Sequence, residues 1–185
     1  MIEESKLINQ AKKADNDAFG ALYDKYIKTI YRFVAVKVNT REEAEDITHE
    51  VFLSAWQNIQ TYEPRGFPLS SWLYQIARNK IIDYYRSKRM PMADIEDVAE
   101  TLAGPDDIAG ELNVQLDFDR VKKSIKLLSS EYQDVILMRY MQDLSYEEIA
   151  KILGRSEGAI RILQHRAINN LKKIVMEENN KIKES

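Results

Sequence analysis

The fold of this chain is decided by the stretch Ser145-Tyr-Glu-Glu-Ile-Ala-Lys-Ile-Leu-Gly-Arg-Ser156. Ser145 is followed three residues later by Glu148, which is the spacing of a capping box and predicts the start of a helix. Three residues form the apolar face of this helix: Ile149, Ala150 and Leu153. Gly154 can adopt a positive φ and end the helix, and Ser156 can cap a second helix after a short turn. The stretch therefore predicts a helix-turn-helix.

The second helix of this motif has one apolar and one polar face. Its inward residues are predicted to be Ile160, Leu163 and Ala167, and its mostly outward residues are Arg161, Gln164, His165 and Arg166. Charged and amide donors in this arrangement can reach base edges and phosphates in a major groove. We interpret residues 145–173 as a DNA-binding element. The alternative is an ordinary helical hairpin with a solvated basic face.

The charge distribution supports this interpretation although the net charge of the chain is -3. Residues 65–90 carry six basic side chains and one acidic side chain, and residues 151–173 carry the same numbers. Residues 91–119 between them carry nine acidic side chains and no Lys or Arg. The acidity of the chain therefore comes largely from the segment least suited to contact nucleic acid.

The acidic segment also contains two prolines and two glycines and has weak periodicity, so we interpret residues 91–119 as a flexible linker. It separates an N-terminal module, residues 1–90, from a C-terminal module, residues 120–175, with a tail over 176–185. Neither module has convincing runs of alternating apolar and polar residues, and both have helical periodicity. The expected fold class is all-α, with two small helical domains.

Three helices are predicted in the first module. The first has apolar residues at three- and four-residue steps from Phe19 to Val34, and the second begins at a capping box of Thr40 and Glu43 and extends to about Asn58. A loop over residues 62–69 contains two prolines and a glycine. The third helix extends from Trp72 to about Lys88, with Ser70 or Ser71 as its cap, and it is expected to bury four residues: Trp72, Leu73, Ile76 and Tyr84.

Four helices are predicted in the second module. The first spans about Leu116–Leu127, and the next is capped by Ser129 or Ser130, with Gln133 completing a possible capping box. The remaining two are the helices of the helix-turn-helix.

Several classes of protein are excluded by what the sequence lacks. There is no cysteine, no apolar stretch of the ~20 residues that span a bilayer and no secretory signal, so we expect a cytoplasmic protein. The sequence contains no Gly-rich phosphate loop and no thiol nucleophile that would indicate an enzyme. His49-Glu50 is not followed by the second histidine of a zinc-protease motif. We expect no metal and no cofactor.

Two sets of motifs then resemble one family. The C-terminal module contains Leu128-Ser-Ser-Glu-Tyr-Gln-Asp-Val-Ile-Leu-Met-Arg-Tyr140, Leu144-Ser-Tyr-Glu-Glu-Ile-Ala150, Gly158-Ala-Ile-Arg161 and His165-Arg-Ala167. The N-terminal module contains Ala18-Phe-Gly-Ala-Leu-Tyr23, Ala44-Glu-Asp-Ile-Thr-His-Glu-Val-Phe-Leu-Ser-Ala-Trp56 and Trp72-Leu-Tyr-Gln-Ile-Ala-Arg-Asn79. These segments resemble region 4 and region 2 of extracytoplasmic-function (ECF) sigma factors, which belong to the sigma-70 family.

The resemblance implies a subunit that binds core RNA polymerase, through the clamp of the beta-prime subunit and the beta flap, and recognises two promoter elements. It further implies an anti-sigma factor as a regulatory partner, and a chain that is monomeric when free. A stand-alone helix-turn-helix regulator is the alternative function. It would need an effector pocket or a phosphoacceptor domain, and the N-terminal helices offer neither a strand pattern nor an acidic pocket.

Residue roles carried over from the family fall into three groups. The expected polymerase-binding residues are Asp46, His49, Glu50, Phe52 and Leu53. The expected minus-ten residues are Tyr62, Arg65, Phe67, Arg78, Asn79, Lys80 and Arg86, in which aromatic faces suit unpaired bases and cations suit phosphates. The expected minus-thirty-five residues are Arg155, Ser156, Glu157, Arg161, Gln164, His165 and Arg166.

The last helix departs from the family pattern. Many members have a small polar and then a basic residue where this chain has Ile162 and Leu163, and an apolar residue where it has Gln164. The departure leaves open which residues of 161–166 face DNA, and Gln164 is either a base-contacting residue or an exposed spacer.

Overall fold

The computed structural model describes residues 2–64, 67–88, 122–141 and 143–183 of this chain. Within those ranges every regular element is helical, which confirms the predicted all-α class. The chain divides into two compact units, Met1–Met90 and Pro91–Ser185. The predicted linker over residues 91–119 lies outside the described residues.

The first unit is built from four helices and one short 3-10 turn. They are α1 (Ile2–Ala11), α2 (Asn16–Lys37), α3 (Arg41–Asn58), the 3-10 turn Ile59–Thr61 and α4 (Leu69–Ser87). Helix α2 packs against α1, α3 and α4, and α3 also packs against α4. The rings of Phe33 and Tyr74 meet edge to face in the core, with centroids 5.1 Å apart, and both side chains are almost fully buried.

Local capping chemistry explains where two of these helices begin. The Asp15 side chain accepts hydrogen bonds from the backbone N–H groups of Asp17 and Ala18, and so caps α2. Thr40 and Glu43 form the predicted capping box of α3.

Two features of this unit differ from what the sequence predicted. Helix α1 was not predicted, although Ile8 and Ala11 are buried against the rest of the unit. Helix α4 begins at Leu69, after Pro68 in an extended conformation, and no side chain caps it. Ser70 and Ser71 lie within the first turn instead, where neither can precede the helix as a cap, and Ser71 is buried.

The second unit contains the helix-turn-helix. Residues 122–126 are helical (α5), followed by α6 (Ser130–Ile136), wide π-type turns over Leu137–Met141, α7 (Tyr146–Leu153) and α8 (Glu157–Lys183). Helices α6 and α7 both pack against α8. Helix α8 extends beyond residue 175, where the sequence placed the end of the domain.

The capping predictions for α7 and α8 are confirmed, whereas the capping box predicted for α6 is wrong. Ser145 and Glu148 form the predicted box, Gly154 has a φ of 64°, and the Ser156 hydroxyl oxygen accepts a hydrogen bond from the Ala159 backbone N–H. Ser129 makes no side-chain cap. The predicted box fails there because the side-chain amide of Gln133 donates instead to the carbonyl oxygens of Lys126, the last residue of α5, and of Leu128.

Across the part of the chain that the structure describes, no helix has the length and apolarity needed to cross a membrane.

Candidate nucleic-acid and protein interfaces

One exposed face of α3 carries four of the five residues predicted to bind polymerase. Asp46, His49, Glu50 and Leu53 are exposed, whereas Ile47, Val51 and Ala55 face the core. The side chain of Leu53 is notable because 57% of the residue is exposed. An apolar group surrounded by carboxylates is suited to contact a partner that is itself apolar at its centre and basic around it.

Phe52 does not lie on this face. It is 4% exposed, and its ring meets that of Tyr23 edge to face with centroids 4.8 Å apart. The position is one residue before Leu53, and a one-residue step rotates a helical side chain by about 100°, which turns Phe52 into the core. Phe52 therefore packs in the core beneath this face.

Glu50 has a partner within the chain. Its carboxylate lies 3.2 Å from Nζ of Lys80 on α4, which the sequence assigned to DNA binding. The pair is partly exposed, so its net contribution to stability is small. It does place one predicted polymerase residue in contact with one predicted minus-ten residue.

The loop that leads into α4 is closed by its own contacts. Tyr62 is 5% exposed; its ring lies against that of Trp72 at 4.9 Å, and its hydroxyl donates a hydrogen bond to the carbonyl of Phe67 at 3.2 Å. A base cannot stack on a ring that is covered, so Tyr62 is a support for the loop. Phe67 is half-buried, and Arg65 lies outside the described residues.

The basic residues on α4 are presented unequally. Asn79 and Arg86 are exposed, whereas Arg78 and Lys80 are half-buried. Arg86 lies 3.8 Å from the Asp83 carboxylate, a long contact between exposed side chains. Of the residues predicted to be core, Leu73 is fully buried, while Trp72, Ile76 and Tyr84 are half-buried.

A polar network that the sequence did not predict joins the start of α3 to the end of α4. One oxygen of Glu43 accepts from the backbone N–H groups of Asn39 and Thr40. The other accepts from the Tyr84 hydroxyl and from Nζ of Lys88. Burial alone would raise the pKa of Glu43, but these hydrogen bonds, led by those from Lys88 and Tyr84, lower it to about 2.

The start of α8 presents a continuous exposed surface, which we call the α8 face. It consists of Glu157, Gly158, Arg161, Ile162, His165 and Arg166. Ile160 and Ala167 are fully buried on the opposite side, against α6 and α7. Arg155 precedes this face and forms an ion pair with Glu131 of α6.

Gln164 is held in a side-chain network. The Tyr146 hydroxyl donates to its Oε1 at 2.6 Å, and its Nε2 donates to the Tyr140 hydroxyl at 2.5 Å. The guanidinium of Arg161 lies over the Tyr146 ring, 4.0 Å from its centroid, and that of Arg139 lies 5.3 Å from the same centroid. Both polar atoms of Gln164 are thus engaged, and the side chain is half-buried rather than an exposed spacer.

The two histidines of the chain are both exposed. Nε2 of His165 lies 3.1 Å from the amide nitrogen of Asn169. Among the described residues, no group of His, Cys, Asp and Glu side chains is arranged to hold a metal ion.

Two family models match the chain, one in each unit. Sigma-70 region 2 matches residues 22–90, and Sigma-70, region 4 matches residues 118–171. The ECF RNA polymerase sigma factor BldN of Streptomyces coelicolor is 33% identical over 94% of this chain and 66% of its own length. The ECF RNA polymerase sigma factor SigW of Bacillus subtilis is 33% identical over 91% of this chain and 94% of its own length.

Solved structures share the fold. CnrH, in complex with the cytosolic domain of CnrY, is 21% identical with a TM-score of 0.73, over 95% of this chain and 98% of its own. The sigma factor RpoE, in complex with the anti-sigma factor NepR from Bartonella quintana, is 24% identical with a TM-score of 0.69, over 85% and 96% respectively. With both regions present in order and a relative matched along almost its full length, the chain belongs to the ECF RNA polymerase sigma factors.

Proposed function

We propose that this chain binds core RNA polymerase, recognises two promoter elements and promotes transcription initiation, without chemistry of its own and in the cytoplasm. The observation that carries this proposal is the α8 face. It places Arg161, His165 and Arg166 side by side at the start of the second helix of a helix-turn-helix, where base edges are contacted.

Within this function, the exposed face of α3 is the proposed site for the polymerase clamp. Asp46, His49, Glu50 and Leu53 form it, and Phe52 supports it from the core. The second unit is proposed to contact the beta flap. We also propose an anti-sigma factor as a regulatory partner, since such partners are usual in the family.

The loop before α4 and the exposed side of α4 are the proposed site for an unpaired base of the minus-ten element. Phe67 and Asn79 would contact the base, and Arg65, Arg78, Lys80 and Arg86 would contact the strand. For Lys80 this requires the ion pair with Glu50 to open, so polymerase binding at Glu50 would release Lys80 for DNA.

The minus-thirty-five element is the proposed target of the helix-turn-helix. Arg161, His165 and Arg166 would contact base edges and phosphates. The turn contains Arg155, Ser156 and Glu157, and Ser156 also caps α8. These residues would position the helix against the DNA backbone.

Purified chain added to core polymerase on promoter-bearing DNA tests the proposal. We expect a heparin-resistant complex that initiates at one start site, whereas core polymerase alone gives none. A stand-alone regulator would change transcription only when a second sigma factor is present. Absence of a specific complex with core polymerase and this chain alone would contradict the proposal.

A further inference from the structure

Ile162 is an apolar side chain in the middle of a polar surface. It lies in the second turn of α8, is 55% exposed, and is adjacent to Arg161 along the chain. One turn further, at three and four residues, are His165 and Arg166, and one turn before it is Gly158, all of them exposed. Ile162 therefore lies at the centre of the α8 face.

Packing within the unit does not account for this side chain. The apolar contacts of α8 with α6 and α7 are made by the opposite side of the helix, where Ile160 and Ala167 are fully buried. Leu163 is half-buried next to them. Ile162 points away from these residues, so replacing it removes little buried area from the folded protein.

The neighbouring Gln164 is half-buried and engaged within the unit. Its amide oxygen and nitrogen are already bonded to Tyr146 and Tyr140. Arg161 is also oriented, by the ring of Tyr146 and by the Glu157 carboxylate 3.7 Å away. Positions 158, 161, 162, 165 and 166 are exposed together on one side of α8, which favours them as the DNA-facing residues.

The chemistry of the major groove then restricts what Ile162 can contact. Guanine, adenine and cytosine present hydrogen-bonding groups there, and thymine adds an apolar C5-methyl group. Isoleucine offers no donor or acceptor, so covering a polar base edge would leave that edge without a partner, at a cost in affinity. A methyl group against the isoleucine side chain gains from removal of apolar surface from water.

We propose that Ile162 contacts the C5-methyl group of one thymine in the upstream promoter element, and so gives this sigma factor a thymine preference at that base pair. The proposal rests on the function proposed above and names the chemistry of one contact within it. Arg161 and Arg166 flank this contact and supply the donors for neighbouring bases and phosphates.

A methyl deletion in DNA isolates this contact, because deoxyuridine pairs like thymine but lacks the C5-methyl group. Promoter DNA with a randomised upstream element would first be mixed with core polymerase and the full-length chain, and the sequences that form heparin-resistant complexes would be selected. Each thymine of the selected element would then be replaced singly by deoxyuridine, and affinities measured for the wild type, Ile162→Ala and Val175→Ala. Val175 is an exposed β-branched residue of the same helix and, at 1.5 Å per residue, lies about 20 Å further along it.

We expect one deoxyuridine substitution to weaken wild-type binding about three- to five-fold, as for the loss of one buried methyl group. Val175→Ala should show the same sensitivity, and Ile162→Ala should bind the two duplexes equally. A selected element with no sensitive thymine, or sensitivity that persists in Ile162→Ala, would overturn the Ile162 contact and leave the function standing. Failure to select any element would overturn the proposed function and this contact with it.

Discussion

Nζ of Lys12 lies 2.8 Å from the carbonyl oxygen of Tyr62 and donates a hydrogen bond to it. Lys12 directly follows α1, and Tyr62 begins the loop that leads into α4. The bond is partly buried and spans 50 residues of sequence. A second link, the ion pair between Glu4 and Lys25, joins α1 to α2. Helix α1 therefore supports the loop proposed to hold an unpaired base.

Replacing Lys12 with Met should loosen this loop while keeping most of the aliphatic side chain. Losing a partly buried charged hydrogen bond should lower the free energy of unfolding of the first unit by about 1 kcal/mol. The free energy of unfolding can be measured by urea denaturation with tryptophan fluorescence as the signal. The two tryptophans of the chain, Trp56 and Trp72, both lie in that unit. Lys13→Met, at an exposed neighbour, is the matched control and should change nothing. Equal effects of the two substitutions would contradict the support role.

The carboxylate of Glu43 should make the first unit sensitive to acid. Its pKa of about 2 in the folded protein lies below the ordinary value of 4.5. A carboxylate whose pKa is lower in the folded than in the unfolded protein stabilises the fold. This stabilisation is fully present above the pKa of the unfolded state and is lost as pH falls from about 4.5 towards 2. Solvent screens part of this network, so the expected loss is about 1 kcal/mol.

Glu43→Gln tests this dependence because glutamine keeps the shape but cannot titrate. The variant should be less stable than the wild type at pH 7, and the difference should shrink as pH falls towards 2. Tryptophan fluorescence during urea denaturation at several pH values measures it. A difference between the two proteins that is independent of pH would show that the network acts without the charge on Glu43.

The exposed face of α3 should control affinity for core polymerase. Leu53→Ala should weaken binding about tenfold if this side chain is buried at the interface centre. Asp46→Asn should weaken binding less and lower its sensitivity to salt, because a charge contact is lost. Titration of labelled polymerase measures both. Asp24→Asn removes an exposed carboxylate of α2, outside this face, and should leave the affinity unchanged. Unchanged affinity in Leu53→Ala would exclude this face as the clamp site.

Features that depend on neighbours in sequence were predictable. The boxes at Thr40 and Ser145 and the positive φ of Gly154 follow from residue type and spacing alone, and the structure contains all three. The buried and exposed sides of α8 were predictable for the same reason, since Ile160 and Ala167 follow the helical period.

Features that depend on contacts distant in sequence were not predictable. The burial of Tyr62 depends on Trp72, and the engagement of Gln164 depends on Tyr140 and Tyr146, which lie in other elements. Helix α1 is short, and it is stabilised by packing against α2 rather than by a cap that the sequence displays. Residue type suggested a DNA role for Tyr62 and Gln164, and only their partners show that both side chains are engaged within the structure.

Asn79→Ala should impair promoter opening more than duplex binding. The residue is exposed on α4, and its proposed partner is a base that becomes available only after strand separation. Loss of one hydrogen bond in the open complex should reduce opening about tenfold. Permanganate reactivity of unpaired thymines measures opening, and gel mobility of closed complexes measures binding. Asn9→Ala, the same substitution at an exposed residue of α1, is the control. Equal losses in opening and binding would contradict the role in holding an unpaired base.

Tyr146 should affect DNA binding through Arg161, whose guanidinium lies 4.0 Å from its ring centroid. Tyr146→Phe keeps the ring and removes the hydroxyl that donates to Gln164. Tyr146→Leu removes both. An exposed cation–π contact contributes about 0.5–1 kcal/mol, so the Leu variant should bind the upstream duplex about two- to five-fold more weakly, and the Phe variant should lie close to the wild type.

Equilibrium binding of the polymerase complex to the upstream duplex at one fixed salt concentration distinguishes the ring from the hydroxyl. The Arg161→Ala background is the control for the ring, because Tyr146→Leu should have no further effect once the guanidinium is absent. If the Phe variant binds as weakly as the Leu variant, the hydroxyl and its bond to Gln164 orient the helix. In that case the hydrogen bond from Tyr146 to Gln164 contributes more to DNA binding than the contact of the Tyr146 ring with Arg161, and Gln164→Ala should reproduce the loss.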